Sequence, residues 1–249
     1  MIPFRDHNPS GTVPFVTVAL IVVNAAVFLV ELNQGPRLNA FIADYGLTPA
    51  RVSGRGDAPP PTGLRGAVFG PQFRYTVPAW LTFFTSMFLH GGWMHLIGNM
   101  WYLWIFGDNV EDRMGHVKYL IFYLLCGLGA GGVQTVLHLG SWVPMVGASG
   151  AIAGVLGAYL VSFPRARVST LLPLGIIFTV IELPAVIVLG FWFVIQFFSG
   201  MQSLSVQGAG GVAWWAHIGG FVLGVSLLFV FQKPRPKRRA YVYRPLSRL

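Results

Sequence analysis

Two polar side chains with complementary chemistry, Ser149 and His217, lie in long apolar runs, Ser149 in the first turn of its run and His217 about two turns into its own. A serine hydroxyl is a weak nucleophile until a neighbouring base takes its proton, and histidine titrates close to neutral pH. Polar groups at membrane depth are costly unless they are paired or hydrated, so a functional site is the default interpretation. The two residues are therefore a candidate nucleophile and general base.

Small residues continue along one helical face from each of these side chains. The residues concerned are Ala153 and Gly157 after Ser149, and Gly220 and Gly224 after His217. Spacings of three and four with small side chains let two helix backbones approach closely. The pattern predicts that the Ser149 hydroxyl and the His217 imidazole come within hydrogen-bond reach.

An acyl-transfer site also needs donors for the oxyanion that develops on the substrate. His95 and Asn99 are four residues apart, so they share one helix face, and both could donate. The free N–H groups of a helix start at Ser149 would supplement them. The acidic residues of the same helix belong to its other end: Asp108, Glu111 and Asp112. A two-residue mechanism fits better than a Ser-His-Asp triad.

Plainer interpretations exist for each residue alone. A serine at a helix start is commonly a cap or a close-packing residue, and a membrane histidine commonly makes an interhelical hydrogen bond. His95 and Asn99 could likewise bond across helices. The joint arrangement favours the catalytic interpretation.

The elements that must position these side chains are membrane helices. Of the 249 residues, 54% are hydrophobic and only 10% are charged, which does not describe a soluble domain. A spanning helix needs about 20 mostly apolar residues. The sequence predicts an all-α, polytopic membrane protein with six transmembrane helices, at about 14–32, 92–112, 117–138, 148–163, 184–200 and 211–232.

Basic residues in the short loops set the predicted orientation. Turns after the second and fourth helices carry Lys or Arg, so both chain ends are expected in the cytoplasm. Residues 233–249 form a basic tail that suits anionic lipid rather than nucleic acid. Cys126 is the single cysteine, so no disulfide forms within the chain.

Two connecting regions are less regular. The first loop is rich in Gly and Pro over 59–71, and its apolar end, 77–89, is expected to lie at the membrane surface or dip into it. Such backbone must pack on protein or line a wet cavity. Residues 164–183 are interrupted by Pro173, Gly175 and Glu182, which leaves open whether they extend the fifth helix or lie along the interface.

The sequence resembles the rhomboid intramembrane serine proteases over nearly its whole length. Its motifs similar to that family's are Gly147-Ala148-Ser149-Gly150 (GxSG), Ala216-His217-Ile218-Gly219-Gly220 (AHxxG), His95 to Asn99 (HxxxN), and Gly107, Glu111 and Gly115 (GxxxExxxG). The resemblance implies a six-helix rhomboid bundle with Ser149 as nucleophile and His217 as base. It further implies His95 and Asn99 as oxyanion donors, and His90 as support for the first loop.

Two positions depart from the family pattern. Trp80 is followed by Leu81 rather than by the arginine of the family's Trp-Arg pair, which concerns the anchoring of the first loop. Ala153 stands where some members have an aromatic residue that stacks on the histidine, so His217 is expected to depend on other groups for its orientation.

The predicted function is an intramembrane serine endopeptidase that cleaves transmembrane protein substrates, without metal or cofactor, in the bacterial inner membrane. The alternative is a non-catalytic rhomboid-like protein that binds transmembrane clients. A transporter would need ionisable residues along a path through the bilayer, and the inner halves of the fourth and sixth helices are apolar. A metal hydrolase is disfavoured because His90 and His95 are five apart across a Gly-Gly break.

Overall fold

The protein is described by a computed structural model over residues 1–55, 74–174, 177–205 and 212–233. The Gly/Pro-rich stretch at 59–71 and the basic tail after residue 233 lie outside these ranges. The described residues are mostly helical. Their α-helices are α1 Phe15–Leu32, α2 Leu38–Tyr45, α3 Thr82–Thr85, α4 Trp93–Met114, α5 His116–Leu137, α6 Ser149–Ser162, α7 Ala185–Ser205 and α8 Trp214–Phe231.

Four of the described helices are long and apolar enough to cross a membrane. They are α1, α5, the part of α7 over Ala185–Gln202, and α8. Helix α4 has the length but carries charges towards its end, and α6 has only 14 residues. The shorter turns Ala79–Leu81 and Ser86–Phe88 flank α3, so that Ala79–Phe88 forms one short apolar helical segment of the first loop.

The prediction of an all-α chain is wrong in one region, because the structure contains a three-stranded antiparallel sheet. Its strands are β1 Ile2–Asp6, β2 Arg167–Leu174 and β3 Ile177–Pro184, in the order β1-β2-β3. Asp6 lies opposite Val168, and Arg167 lies opposite Pro184. The region that the sequence left open, 164–183, is therefore mainly a β-hairpin rather than a helix extension.

Residue types explain why the hairpin forms. Strand β3 contains Thr179, Val180 and Ile181 in succession, and β-branched residues favour the pleated conformation over a helix. Val168 of β2 is fully buried against the helices and belongs to the main hydrophobic core. The sheet is thus joined to the helical bundle rather than separate from it.

Helix α6 occupies the middle of the bundle. Every residue from Gly150 to Tyr159 is buried, and α4, α5, α7 and α8 all pack against this helix. A 14-residue helix is about 21 Å long, which is shorter than a hydrocarbon core of about 30 Å. Because protein surrounds it, α6 does not have to match the thickness of the bilayer.

Glu111 joins the end of α4 to the start of α1. Its fully buried carboxylate accepts hydrogen bonds from the backbone N–H groups of Val16 (2.9 Å) and Thr17 (2.8 Å), and from the Thr17 hydroxyl (2.7 Å). The first N–H groups of a helix have no partner within the helix, and a carboxylate favours that end. Gly115, with φ +87°, then makes the tight turn into α5. These contacts give a structural role to the GxxxExxxG pattern.

The first loop is fastened at its base by Asp44 and Arg51. The Asp44 carboxylate accepts hydrogen bonds from the backbone of Thr76 (2.8 Å) and Val77 (3.0 Å). The Arg51 guanidinium donates to the backbone oxygens of Asp44 and Val77 and lies 4.0 Å from the centre of the Tyr75 ring. These contacts tie the two described ends of the loop together in a chain that lacks the Trp-Arg pair.

Asp6 gives the sheet a predicted dependence on pH. Burial raises the pKa of this carboxyl to about 6, and nearby Asp108 adds to the rise, although the Tyr159 hydroxyl donates to Asp6 at 2.7 Å. The folded state therefore binds a proton more tightly than the unfolded state, whose pKa lies near 3.8. Stability should fall as pH rises from about 4 to about 6, by roughly 1 kcal/mol after allowance for solvent screening of this partly exposed group.

The predicted pH dependence can be tested by measuring the unfolding temperatures of the parent protein and of Asp6→Asn in detergent between pH 4.5 and 7. The variant should lose the pH-dependent component and be more stable than the parent at pH 7. Equal pH profiles for the two proteins would contradict the assignment.

Candidate functional site

Ser149 is the first residue of α6, at the end of a tight loop. Gly147 has φ +127°, a conformation that side chains rarely adopt, and its N–H donates to the Ser86 oxygen at 2.8 Å. A Cβ at Gly147 would lie 2.8 Å from the His95 ring. Only glycine fits both the backbone angle and the space. The loop therefore places the backbone just before Ser149 against the His95 ring.

His217 lies within hydrogen-bond distance of Ser149. Its Nε2 is 2.8 Å from Ser149 Oγ, and its Nδ1 is 2.6 Å from Oε1 of Gln196 on α7. A neutral imidazole with the proton on Nδ1 accepts a hydrogen bond at Nε2. The Ser149 hydroxyl can then donate to the atom that would take its proton.

The close approach of α6 and α8 brings this pair together, as the small residues predict. A Cβ at Gly220 would lie 2.0 Å from the backbone oxygen of Gly150, and a Cβ at Gly224 would lie 2.0 Å from that of Gly154. Neither position has room for any side chain while the helices keep this separation. The distance between Ser149 and His217 thus depends on direct packing of the α6 backbone against the α8 backbone.

His95 and Asn99 carry the N–H groups that the sequence predicted as oxyanion donors. The Gly91 N–H donates to His95 Nδ1 at 3.2 Å, which leaves the ring proton on Nε2, the nitrogen that faces Gly147. Asn99 is buried, and its Nδ2 has no acceptor among the residues that the structure describes. Both residues line the same cavity as Ser149.

His90, which the resemblance implied as support for the first loop, packs against His95. It is almost fully buried, and its ring packs edge-on against that of His95, with 5.2 Å between centroids. The His90 backbone N–H donates to the carboxylate of Glu31 at 3.0 Å and 3.2 Å. Glu31, at the end of α1, was not singled out from the sequence; a carboxylate inside an apolar run was the available signal.

All four proposed chemical residues line one cavity of about 600 Å³: Ser149, His217, His95 and Asn99. Met94 and Tyr102 of α4 line it on one side, and Trp192 of α7 on another. Cavities of this size accept a drug-sized ligand or a short peptide segment. Over the ranges that the structure covers, no group of three or more His, Cys, Asp or Glu side chains could hold a metal ion.

Aromatic contacts to His217 come from helices other than α6. Ala153 is fully buried and offers no ring. The indole of Trp192 lies with its centroid 6.0 Å from the imidazole, and that of Trp214 lies 6.2 Å away, edge-on. Neither Trp192 nor Gln196 was predicted from the sequence. The signal that could have found them was an amide in an apolar run, four residues after a tryptophan.

Comparison with known proteins assigns the family. Residues 78–234, more than half of the chain, match the family model described as Rhomboid domain. This chain belongs to the rhomboid family. It is therefore an integral, multi-pass membrane protein, and the matched range contains all the residues that line the cavity.

Relatives with rhomboid names include proteins from a plant and from a bacterium. "Rhomboid-like protein 11, chloroplastic" of Arabidopsis thaliana is 38% identical over 87 residues, covering 32% of this chain and 29% of the relative. "RHOMBOID-like protein 1" of Arabidopsis thaliana is 28% identical over 232 residues, or 88% of this chain and 53% of the relative. "Rhomboid protease GluP" of Bacillus subtilis (strain 168) is 27% identical over 221 residues, which cover 89% of this chain and 34% of the relative. The chain thus spans between 29% and 53% of the length of these relatives.

Proposed function

We propose that this rhomboid-family protein is an intramembrane serine endopeptidase that cleaves transmembrane or membrane-proximal segments of other membrane proteins. The observation that carries the proposal is the 2.8 Å contact between Ser149 Oγ and His217 Nε2, inside a cavity that also holds two spare N–H donors. A hydroxyl, a base and oxyanion donors are the set that acyl transfer requires.

The proposed reaction proceeds in two halves. Ser149 Oγ attacks the carbonyl carbon of the scissile peptide bond while its proton passes to His217 Nε2. Asn99 Nδ2, His95 Nε2 and the free N–H groups at the start of α6 stabilise the negative oxygen of the tetrahedral intermediate. The C–N bond then breaks as His217 protonates the leaving amine. Water hydrolyses the resulting ester, with His217 again acting as the base.

The proposed topology has six membrane-spanning helices, with α4 and α6 added to the four that are apolar enough alone. Both chain ends are placed in the cytoplasm. The short, central α6 supports the addition, because a helix enclosed by protein can span only part of the bilayer and leave Ser149 below the outer surface. A water-filled cavity can then reach the serine.

The membrane that holds the protein stays a prediction. A bacterial inner membrane was expected from the sequence, whereas the names of two relatives place them in chloroplasts and mitochondria, and a third relative is from Bacillus subtilis. The proposed substrates are transmembrane proteins, with small side chains at the scissile bond because the loop and helix around Ser149 are built from small residues.

Reconstitution in liposomes with a single-span model substrate tests the proposal. The protein should cleave the substrate and should form a covalent adduct with a fluorophosphonate, which mass spectrometry locates on Ser149. Substrate that co-purifies uncleaved, with no adduct on Ser149, would overturn the protease assignment and favour a rhomboid-like protein that binds transmembrane clients.

A further inference from the structure

A buried amide on α7 contacts the base of the proposed dyad. Gln196 is only 7% exposed and lies within an apolar stretch of the helix. A polar side chain in such a position is unfavourable unless it makes a hydrogen bond. Its Oε1 lies 2.6 Å from Nδ1 of His217, so the imidazole is the partner that stabilises the amide there.

This contact selects one form of the histidine. An amide oxygen accepts hydrogen bonds and does not donate, so Nδ1 must carry the proton. Nε2 is then unprotonated and faces the Ser149 hydroxyl at 2.8 Å. Without an acceptor at Nδ1, the neutral ring could equally carry its proton on Nε2, and that form cannot accept the serine proton.

The same helix restrains the plane of the ring. Trp192 lies one helical turn before Gln196, and its indole is tilted by 38° against the imidazole. Ala153, one helical turn after Ser149 on α6, has no aromatic ring to place against His217. Helix α7 therefore provides both a hydrogen-bond acceptor and an aromatic wall for His217.

We propose that Gln196 is a positioning residue that holds His217 in the tautomer and orientation needed to deprotonate Ser149. This deepens the proposed protease function and rests on it. The amide is neutral, so it orients the ring without adding a negative charge beside it. The arrangement is similar to a Ser-His-Asp triad, with the Gln196 amide in the place of the aspartate carboxylate.

Gln196→Met tests the proposal, because it keeps the length of the side chain and removes the acceptor. Gln202→Met is the matched control, since Gln202 lies on the same helix and is exposed. In liposomes, Gln196→Met should lower kcat by about 10-fold to 10²-fold with KM within about twofold. Gln196→Glu restores an acceptor at the same length and should recover most of the rate. The control should match the parent.

A second measurement does not depend on activity. The ¹⁵N NMR shifts of the His217 ring distinguish a proton on Nδ1 from a proton on Nε2. The parent should show the Nδ1–H form, and Gln196→Met should show a mixture. Unchanged ring shifts in Gln196→Met would overturn the proposal, as would parental kcat in that variant. If the parent protein itself cleaves nothing, the protease assignment fails, and the ring shifts still decide whether Gln196 holds the tautomer.

Discussion

Replacing Ser149 or His217 by alanine is expected to lower the rate of substrate cleavage by at least about 10³-fold, and replacing both should do little more than replacing one. The physical reason is that the hydroxyl and the imidazole act as a unit through their 2.8 Å contact. Once either is missing, the other has no partner with which to form the acyl-enzyme. Binding and the oxyanion donors would supply any residual rate.

The measurement is initial cleavage velocity in liposomes at saturating substrate, with folding checked by thermal unfolding. Ser226→Ala and His138→Ala are matched controls, since Ser226 lies on the exposed side of α8 and His138 follows the end of α5, outside the cavity. Both should cleave like the parent. Additive losses in the double variant would contradict a shared step, and an active Ser149→Ala would exclude this serine as the nucleophile.

Gly220→Ala is expected to reduce cleavage by more than about 10²-fold and also to destabilise the fold. An added methyl would lie 2.0 Å from the Gly150 oxygen, so α6 and α8 must separate by about 1 Å or more to accept it. That movement separates Ser149 from His217, and a displacement of about 1 Å in reacting groups can lower a rate by about 10²-fold. Lost packing between the helices adds the loss of stability.

Gly132→Ala provides the comparison for this substitution. A Cβ at Gly132 of α5 meets nothing within 4 Å, so the same change in helix propensity occurs there without the clash. Activity should stay near the parental level, and the unfolding temperature should stay the same or rise. A Gly220→Ala protein with parental activity would show that the two helices do not need their backbone contact to align the pair.

The four long apolar helices could be predicted from the sequence because their length and apolarity are those of a membrane-spanning helix. The sheet could not. Hydrophobicity over 164–183 is compatible with a helix, a strand or an interfacial segment, and a choice among them needs the position of a partner strand. That partner, β1, includes Asp6, which pairs with Val168 across most of the chain. No local pattern around Asp6 indicates such a distant neighbour.

Some residues of the candidate site could be identified from the sequence, and others could not. Ser149, His217, His95 and Asn99 carry groups whose chemistry is evident from residue type and spacing. Gln196 and Glu31 were not identified, because neither stands at helical spacing from another residue that had been assigned to the site. The observed partners, His217 Nδ1 and the His90 backbone, belong to other helices. Their roles therefore required the tertiary arrangement.

The pairing of β1 with β2 has a consequence for biosynthesis. His7, just after β1, and Ser169 of β2 are hydrogen-bonded although 162 residues separate them. At about 5–20 residues per second, a ribosome needs roughly 10–30 s to make that interval. During this time β1 has no partner strand, while the chain from α1 to α6 is being synthesised. The sheet therefore forms only after α1 to α6 have been synthesised.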